Sequence, residues 1–564
     1  MSLLNKASLI QIPSGYKDGT LYSAKPTNGD GDFTFSRGSN LAATRVNSEG
    51  LIEKGRENLL LQSNQFDTTW VTSSASVNGG QTGYDGSNDA WLFDSTSGYI
   101  YQSGLGSVSG VHTISVYVKA GTAQGFRIRV DQATDSNYII DLSDGSLINE
   151  NDNIAYKSTS VGVGWYRIEM AFVANTISNI QFRVTDLTGA TSSGTAYIQD
   201  AQLEVGLVST DVITTTTTTA QAGILEDMPR LDYSGGATCP SLLLEPQRSN
   251  LVTQSEYFDA SNWSTYFYGG ASLAIDFGYL SPEGKNNAYR FSYTAGSGSN
   301  GMLLTDNFIA TASVDYTLSV WMKGAVGGEK VRLCLMDTGS NGIAGTTFTL
   351  TDEWVLYTDT ITNSAGTSRG FQFRMQNVIG VDNDQVVYVY GAQAELGSYA
   401  TSYIPTYGGS SVTRVGEECQ TTSLQSASLI GATAGTFFIE ANKTDDAVWF
   451  NQRIFLTSTT QRSLLMDSSA GQIRLRTFDA TSAGTSITTS GLVNGLVKYL
   501  IKWDGTTIKV FANGVLVGSS AQPSYAYTTY STFESASFSN NEISQICFFP
   551  SALTDAECIE LTTI

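Results

Sequence analysis

The chain has 564 residues, of which 41% are hydrophobic, 15% are charged and one is a histidine. Lysine and arginine number 31 against 52 aspartate and glutamate residues, so the formal net charge is −21. The hydrophobic fraction excludes a chain that is disordered throughout. The acidic balance disfavours nucleic-acid binding, which depends on cations that neutralise phosphates. Every catalytic mechanism that needs a histidine would depend on His112.

The start of the chain and its cysteines indicate synthesis in a reducing compartment. No segment approaches the ~18 consecutive apolar residues of a membrane helix. The first residues, MSLLNKASLIQIPSGYKDG, lack the charged start and long apolar run of a secretory signal. The five cysteines are widely spaced, and an odd number cannot be fully paired within one chain. We therefore expect free thiols and synthesis in a cytoplasm without a signal peptide.

Short segments throughout the chain alternate apolar and polar residues and are rich in Val, Ile, Thr, Tyr and Phe. Examples are HTISVYVK at 112–119, QFRVTD at 181–186 and TIKVFAN at 507–513. Alternation places every second side chain on one face of a strand, so that one face is buried and the other is solvated. The predicted fold class is therefore all-β, with tandem β-sandwich (jelly-roll) domains and very little helix.

Two long stretches of the chain repeat each other. ENLLLQSNQFDTTW at 57–70 matches SNLVTQSEYFDASNW at 249–263. Further matches follow in the same order, up to the closing strands AYIQDAQLEVG and VYVYGAQAELG. Self-similarity of this length predicts two copies of one β-sandwich module, residues 56–207 and 247–406.

Three other regions complete the predicted organisation. Residues 1–55 are expected to form an N-terminal attachment segment. Residues 208–246 form a connector, in which the threonine run 214–219 predicts a linker or an extended strand. The rest of the connector is punctuated by proline and contains the turn signal SGG at 234–236, which predicts a hairpin. Residues 407–564 form a third β domain.

The third domain has the clearest local signals. GTFFIEANK and ISQICFFP are predicted strands. Between them, KYLIKWDGTTIKVFANGVLVGS contains DG at 504–505 and NG at 513–514, which are strong hairpin signals. The segment LTDAECIEL is the one predicted helix, because Thr554 and Glu557 have the spacing of a capping box.

The repeat also tests candidate functional residues. His112 corresponds to Tyr316, so the second copy lacks the histidine, and an ordinary half-buried strand residue is expected. Four tryptophans recur in pairs and are expected to be core anchors, since a large ring buries much area. These are Trp70, Trp263, Trp165 and Trp354. Aromatic residues found in one copy only, such as Tyr266 and Tyr268 in STYFYGG, are the candidates for a ligand-binding surface.

Carboxylate chemistry is the remaining catalytic alternative. A retaining glycosidase needs two carboxyl groups about 5 Å apart on facing strands. Candidates in the third domain are Glu440, Asp446, Asp467 and Asp479. They show no alternation that would place several carboxylates on one strand face, so no catalytic residue is predicted and the protein is not expected to be an enzyme.

One loop is a candidate for metal binding. YDGSNDAW carries Asp85 and Asp89, and oxygen-rich loops suit calcium. The spacing matches no recognised calcium loop, and turn formation explains these residues equally well. No metal site and no cofactor are predicted.

Two family resemblances follow from these motifs. The segments WDGTTIKVFANGVLVG and ISQICFFPSALTDAEC resemble the last strands and helical ending of laminin-G/concanavalin-A-like jelly rolls. The two repeats resemble the galactose-binding-like jelly rolls of carbohydrate-binding modules. In those modules calcium often bridges the first and last strands. The closing strand has Asp200 in the first copy but Gly391 in the second, so a calcium site is not carried over.

Residues 32–53 and 229–252 resemble segments that recur in tailed-bacteriophage virion proteins. The resemblance implies a non-enzymatic structural protein at the virion surface, such as a fibre or other appendage of the tail or head. Host attachment through a cell-surface glycan and contacts with other virion proteins are expected. A homo-oligomer is expected as well, with a trimer favoured. A polysaccharide-degrading enzyme, a bacterial glycan-binding protein and a spacer without glycan affinity are the alternatives.

Overall fold

A computed structural model of the protein describes residues 3–38, 41–106, 108–267, 269–296, 303–336, 342–364, 368–375, 383–422, 424, 427–431, 433–443, 452–456, 462–469, 472–476, 486–488, 495–521, 530–535 and 541–564. The all-β prediction is confirmed. In these ranges the helical elements are one α-helix, Asp555–Thr562, and two 3-10 turns, Leu3–Lys6 and Ser234–Gly236. No helix in the described ranges has the length and apolar character to span a membrane.

The first module is a sandwich of two antiparallel sheets. One strand, Ala90–Ser103, passes through both of them, because residues 91–96 pair with Ser193–Val205 and residues 100–103 pair with Asn179–Thr185. Val71–Gln81 pairs along its edge. From there the front sheet continues through Ser193–Val205, Ser109–Ala120, Trp165–Asn175 and Ala155–Gly162. The back sheet continues through Asn179–Thr185, Gly125–Asp131, Ser136–Asp141 and Leu147–Asn151.

The second module repeats this strand order with the long strand divided in two. Its front sheet is Ser272–Tyr279, Ala288–Thr294, Gln385–Leu396, Asp315–Gly324 and Val355–Thr362. Its back sheet is Ser264–Tyr266, Leu303–Ile309, Ser368–Arg374, Lys330–Met336 and Gly342–Thr349. In each module, alternate side chains of the two sheets meet in one hydrophobic core.

The closing front-sheet strand carries a β-bulge at the same place in both modules. The register shifts opposite Ser115–Tyr117 in the first module and opposite Ser319–Trp321 in the second. The residue at the shift has a positive φ of 52° at Asp200 and 67° at Gly391. A bulge of this kind favours Gly, Asn or Asp. Backbone geometry therefore accounts for the exchange of aspartate for glycine between the copies.

Each module is closed by a buried asparagine at its start. The Asn58 side chain donates hydrogen bonds to the carbonyls of Ala201 (3.2 Å) and Ile213 (2.9 Å). Asn250 makes the corresponding bonds to Ala392 (3.1 Å) and Ile404 (2.9 Å). The segment that follows the last strand is thus tied to the first strand in both copies.

The threonine run at 214–219 begins inside this closure. Thr215 is buried, and its hydroxyl donates to the Leu60 carbonyl (2.6 Å) and accepts from the Ser63 amide (3.0 Å). Thr406 makes the same pair of bonds to Val252 and Ser255 in the second module. The linker prediction is therefore wrong at the start of the run, which belongs to the first module, while Thr217–Thr219 are exposed.

We expect Thr215→Val to destabilise the protein by roughly 1–3 kcal/mol, because it leaves buried backbone groups without hydrogen bonds. Thr218→Val, in the exposed part of the same run, is the matched control and is expected to change stability by less than about 0.5 kcal/mol. Urea unfolding of both variants measures the difference. Equally small changes in the free energy of unfolding for the two variants would mean that the whole run is a linker.

The third domain is built from three separated parts of the chain. Its first sheet joins Leu9–Gln11 and the hairpin Arg230–Asp232 and Ser241–Leu244 to later strands. The later strands of this sheet are Gly435–Lys443, Gly495–Trp503, Thr507–Ala512, Val515–Ala521 and Asn541–Phe549. The second sheet contains Tyr16–Lys17, Thr20–Leu21, Phe33–Ser36, Glu418–Thr422, Gln452–Leu456, Arg462–Ser469, Gln472–Arg476, Ser486–Thr488 and Tyr530–Ser535.

Residues 1–55 therefore differ from the separate attachment segment that the sequence predicts. Phe33 and Phe35 are buried in the same core as Phe437 and Phe548 of the third domain. Their strand pairs with Glu418–Thr422. The strands of this segment are two to four residues long. Leu9–Gln11 and Phe33–Ser36 attach them to strands hundreds of residues away, so local sequence signals do not reveal the domain to which they belong.

Several local predictions are confirmed. The connector hairpin, the strands on either side of the DG and NG turns and the final strand are present. Helix Asp555–Thr562 begins with a capping box, since the Thr554 hydroxyl accepts from the Glu557 amide and the Glu557 carboxylate accepts from the Thr554 amide. All five cysteines are free thiols, as expected, and only Cys239 is exposed.

Short strands join the modules to these sheets. Thr44–Val46 pairs with Ile52–Lys54, Arg56–Asn58 pairs with Ala220–Ala222, and Arg248–Asn250 pairs with Val412–Arg414. Lys54 places its ammonium group 2.8 Å from Glu283 and 2.5 Å from Glu256 of the second module. All three side chains are buried, so this segment is fixed against the second module.

Five charged side chains meet where these segments converge. They are Arg37, Arg230, Glu245, Arg414 and Glu417, here called the hub. Arg230 donates to Glu417 through Nε (2.7 Å) and to Glu245 through Nη2 (2.7 Å). Arg37 lies 2.9 Å from Glu417, and Arg414 lies 3.0 Å from Glu245. All five side chains are buried, with at most 2% of each exposed.

The arginines keep both hub carboxylates ionised. Burial alone would raise the pKa of Glu245, but Arg414 and Arg230 beside it lower the pKa to about 2. The pKa of Glu417 is also lowered against the effect of burial, chiefly by Arg230. A carboxylate with a lowered pKa contributes stability that is fully present above its unfolded pKa and is lost as the pH falls. Ionised Glu245 and Glu417 therefore contribute stability at neutral pH that is lost in acid.

We expect Glu417→Gln to destabilise the protein by about 3–5 kcal/mol, because it leaves Arg37 and Arg230 buried with one carboxylate fewer. Glu440→Gln is the matched control, since Glu440 pairs with Lys498 at 3.4 Å on the surface and should cost less than about 1 kcal/mol. Denaturant unfolding at pH 7 measures both. A similar small loss for the two variants would contradict a structural role for the hub.

Candidate functional site

The outer face of the back sheet of the first module carries the most ligand-like group of side chains. Phe126, Ile128 and Val130 point into the core and are fully buried. Arg127 and Arg129 alternate with them and therefore point outward. The outward residues of the neighbouring strands complete the set. The tyrosine–arginine face consists of Tyr99, Tyr101, Arg127, Arg129, Gln181 and Arg183.

Strand register brings these residues into two rows. Gln181 lies opposite Tyr101 on one side and opposite Arg129 on the other. Arg183 lies opposite Arg127 and, on its other side, places its guanidinium 4.3 Å from the centroid of the Tyr99 ring. The Tyr99 and Tyr101 rings are 5.6 Å apart between centroids. The face is thus a short aromatic platform bordered by planar polar groups.

Hydrogen bonds hold the polar side chains in place. Gln181 accepts from Arg183 Nε at 2.9 Å and donates to Asn179 at 2.6 Å. Arg129 donates to one oxygen of Asp135 through Nε (3.1 Å) and Nη2 (2.6 Å). Side chains that are fixed before a ligand arrives lose less conformational freedom on binding.

The arginines also affect one another. Burial lowers the pKa of Arg127, and the neighbouring Arg183 and Arg129 lower this pKa further. Burial lowers the pKa of Arg183, and the charge of Arg129 lowers it further. Each guanidinium remains charged at neutral pH. Three arginines with two aspartates beside them, Asp131 and Asp135, leave a small positive excess on this face.

The two tyrosines belong to the first copy only. Gln372 and Arg374 occupy the positions of Gln181 and Arg183 in the second module. There the strand opposite them carries Thr305 and Leu303 where the first module has Tyr101 and Tyr99. Aromatic residues restricted to one copy are the ligand-surface candidates that the sequence criterion selects. GYIYQS in the first copy meets this criterion as STYFYGG does in the second copy.

The outer faces of the two front sheets lie next to other parts of the chain. A cleft of about 710 Å³ separates Lys157 and Glu169 of the first module's front sheet from Phe277 and Lys285 of the second module. The front sheet of the second module packs against Ile52 of the N-terminal segment. Both front faces therefore meet other parts of the chain.

The structure describes one of the two predicted ligand-binding residues, Tyr266. Tyr266 ends the edge strand Ser264–Tyr266 and is 50% exposed, and Phe267 beside it is 39% exposed. These two residues form a smaller aromatic surface on the second module. Tyr268 lies outside the described residues. Tyr266 therefore stays a candidate for ligand binding, and its effect on binding can be compared with that of the tyrosine–arginine face.

His112 is a buried residue of a front-sheet strand in the first module. Its side chain is fully buried and not half-buried as expected, and Nδ1 lies 3.1 Å from the Gly110 carbonyl oxygen. Burial lowers the pKa of His112, so the ring is neutral at pH 7. The interpretation as a structural strand residue is confirmed.

The recurrent tryptophans are mostly core anchors. Trp70, Trp263 and Trp165 are buried, which confirms the prediction. Trp354 is only half-buried, so the prediction is wrong for this residue. The two residues differ in their neighbours. A lysine lies over each ring, but Trp165 also packs against Tyr84, whereas Trp354 donates to the Leu280 carbonyl.

The carboxylates proposed for an enzymatic alternative do not form a site in the described part of the chain. Glu440 lies in strand Gly435–Lys443 and pairs with Lys498. Asp446 and Asp479 lie outside the described residues. The strand that carries Asp467 is described, but its side chain is not. The non-enzymatic expectation stays a prediction.

The loop considered for calcium is held by hydrogen bonds. Asp89 accepts from Gln199 at 2.9 Å, and Asp85 accepts from the Ser87 hydroxyl at 2.7 Å. The Asp200 carboxylate accepts from the Tyr84 hydroxyl at 3.1 Å. Within the described residues there is no group of three or more His, Cys, Asp or Glu side chains that could hold a metal ion.

Asp200 is the titratable group of this loop region. Burial raises its pKa to about 6, and the charges of Asp89 and Asp85 act in the same direction. A carboxyl group whose folded pKa lies above its unfolded value of 3.8 stabilises the fold less and less as the pH rises through 6.

We expect Asp200→Asn to remove this loss, because asparagine is neutral and tolerates the positive φ at the bulge. The stability difference between the variant and the natural chain should grow in favour of the variant by about 1 kcal/mol between pH 5 and pH 8. Urea unfolding at pH 5, 6, 7 and 8 measures it. A difference that does not change with pH would contradict the raised pKa.

Comparison with known proteins gives matches to solved structures at low scores. No protein-family model and no curated protein sequence matches the chain. The family 40 carbohydrate-binding module of the Ruminococcus gnavus IT-sialidase, solved with α2,3-sialyllactose, is 16% identical with a TM-score of 0.21. The match covers 25% of this chain and 92% of that one.

Two further solved structures are similar to about the same extent. A family 4 carbohydrate-binding module is 15% identical with a TM-score of 0.21, over 26% of this chain and 99% of that one. The binding domain of Paraclostridial Mosquitocidal Protein 1 is 12% identical with a TM-score of 0.22, over 26% and 40%. Scores of this size assign no ligand, so the function is judged from the geometry of the chain itself.

Proposed function

We propose that this protein is a non-enzymatic glycan-binding protein of a bacteriophage virion surface and that the tyrosine–arginine face holds the glycan. The observation that carries the glycan assignment is the pairing of two copy-specific tyrosine rings with fixed arginine and glutamine side chains on an outward sheet face. An outward, nearly flat face can accept a chain of sugar units along the strands.

The chemistry of these residues suits a sugar. The C–H face of a pyranose packs on an aromatic ring, and tyrosine adds a hydroxyl that can donate or accept. Guanidinium groups supply planar donors for pairs of sugar hydroxyls. The buried Gln181 amide holds Arg183 in place for this contact. The tyrosines are half-buried, so their rings are held in place and remain partly open to a ligand.

The virion assignment is supported by the segments that resemble phage proteins. Residues 32–53 and 229–252 contribute Arg37, Arg230 and Glu245 to the hub. In a phage appendage, these segments would join the binding modules to a third domain that contacts other virion proteins, in a homo-oligomer for which we favour a trimer. The chain would be made in the host cytoplasm and released by lysis.

Two measurements test this assignment. Mass spectrometry of purified phage particles should detect the protein together with capsid or tail proteins, and light scattering should give the mass of an oligomer. Absence from particles would instead favour a bacterial glycan-binding protein. Release of reducing ends from host polysaccharides by the purified protein would show that it is an enzyme and would overturn the non-enzymatic proposal.

We expect Tyr99→Ala and Tyr101→Ala each to weaken glycan binding by about tenfold, because each removes a ring from the platform. Tyr266→Ala is the matched control, since it removes an exposed tyrosine from the other module. A glycan array of bacterial polysaccharides identifies the bound glycan, and titration calorimetry compares the variants. Loss of binding in Tyr266→Ala alone would move the site to the second module.

A further inference from the structure

We infer that the glycan held by the tyrosine–arginine face is acidic and that a carboxylate or sulfate group of the ligand lies against Arg127 and Arg183. This inference rests on the proposed glycan-binding function and adds the chemical class of the ligand. Its basis is a pair of like charges placed directly opposite each other on neighbouring strands.

Such a pair is unfavourable in the free protein. Like charges directly opposite each other in a sheet destabilise it. Neither Arg127 nor Arg183 has an acidic partner within 4 Å among the described residues. Arg183 donates to Gln181, and Arg127 donates to the Gly189 carbonyl, so both bind neutral groups. The nearby acids Asp131 and Asp135 pair with Arg129 instead.

The second module contains the same arrangement. Arg332 and Arg374 lie directly opposite each other on the corresponding strands. Neither has an acidic partner within 4 Å in the described part of the chain, and Arg332 donates to the Thr347 hydroxyl at 3.0 Å. A costly pair that occurs at the same place in two divergent copies indicates a shared requirement for positive charge on this face.

The geometry of the guanidinium group points in the same direction. A guanidinium presents its donors in a planar fork that matches the two oxygens of a carboxylate or sulfate. Arg127 and Arg183 are both half-exposed, so the two adjacent guanidinium groups would share the charge of one anionic group.

A sugar acid fits this face better than a nucleic acid. Arg183 already covers one side of the Tyr99 ring at 4.3 Å, so the ring is not open on both sides for stacked bases. The C–H face of a single sugar needs less ring area. The local charge can act although the whole chain is acidic, because charges farther apart than about 8–10 Å are screened at physiological ionic strength.

The experiment compares matched acidic and neutral glycans by titration calorimetry with the full-length protein. The probes are polygalacturonate and its fully methyl-esterified form, hyaluronan and its carboxyl-reduced form, and heparin and its desulfated form. A single-stranded oligonucleotide is the fourth polyanion. We expect at least one acidic glycan to bind tenfold or more tightly than its neutral partner, with an affinity that falls as salt is added.

Variants locate the charge that is responsible. Arg127→Gln and Arg183→Gln should each reduce the affinity for the acidic glycan about tenfold and change the affinity for its neutral partner less than threefold. Lys157→Gln, which removes an exposed cation from the front sheet of the same module, should leave both unchanged. The melting temperature of Arg127→Gln should stay the same or rise, because a repulsion is removed.

Each outcome supports or overturns the inference. Equal affinity for acidic and neutral partners would overturn the acidic class while the proposed glycan binding stands. Tighter binding of the oligonucleotide than of every glycan would overturn it in favour of a nucleic acid. No binding to any probe or to the polysaccharide array would overturn both proposals. A melting temperature that falls in step with affinity would show that the arginine pair has a structural role.

Discussion

The burial of three arginines and two glutamates in the hub is the constraint on which the arrangement of the chain depends. A charge that leaves water without a partner costs several kcal/mol, so a partly assembled hub is unfavourable. Its members come from the N-terminal segment, the connector and the stretch after the second module. The excess guanidinium donors bind carbonyls such as those of Met228, Thr44 and Pro246. The ion pairs of the hub therefore require all these segments at once.

The hub and the tyrosine–arginine face use adjacent arginines in opposite ways. In the hub, Glu245 and Glu417 balance most of the charge, and the group is closed to solvent. On the face, Arg127 and Arg183 lie opposite each other without a carboxylate between them and remain half-exposed. Compensated charge inside the protein holds domains together. On the outward sheet, the like charges of Arg127 and Arg183 repel each other, and Asp131 and Asp135 beside Arg129 offset only part of this cost.

The sequence predicts much of the fold because most of its strands alternate and most of its turns are local. The NG and DG turns and the Thr554 capping box need no distant partner to be recognised. The strand Phe33–Ser36 alternates as well and has a local partner in Thr20–Leu21, but its other partner, Glu418–Thr422, lies hundreds of residues away and leaves no local signal. The site was harder to predict, because alternation puts Tyr99 and Tyr101 on one face without saying whether that face is open.

Domain assembly decides which faces are open. The front sheet of the second module packs on Ile52, and that of the first borders the cleft against Phe277 and Lys285. The N-terminal segment therefore covers the front side of the second module, and the second module borders the front side of the first, whose back sheet keeps Arg127 and Arg183 half-exposed. A ligand site on a back sheet is compatible with a rigid interior, because binding there does not require any buried ion pair to open. The same separation lets the copies diverge at Tyr99 and Tyr101 while the closing contacts of Asn58 and Asn250 stay the same.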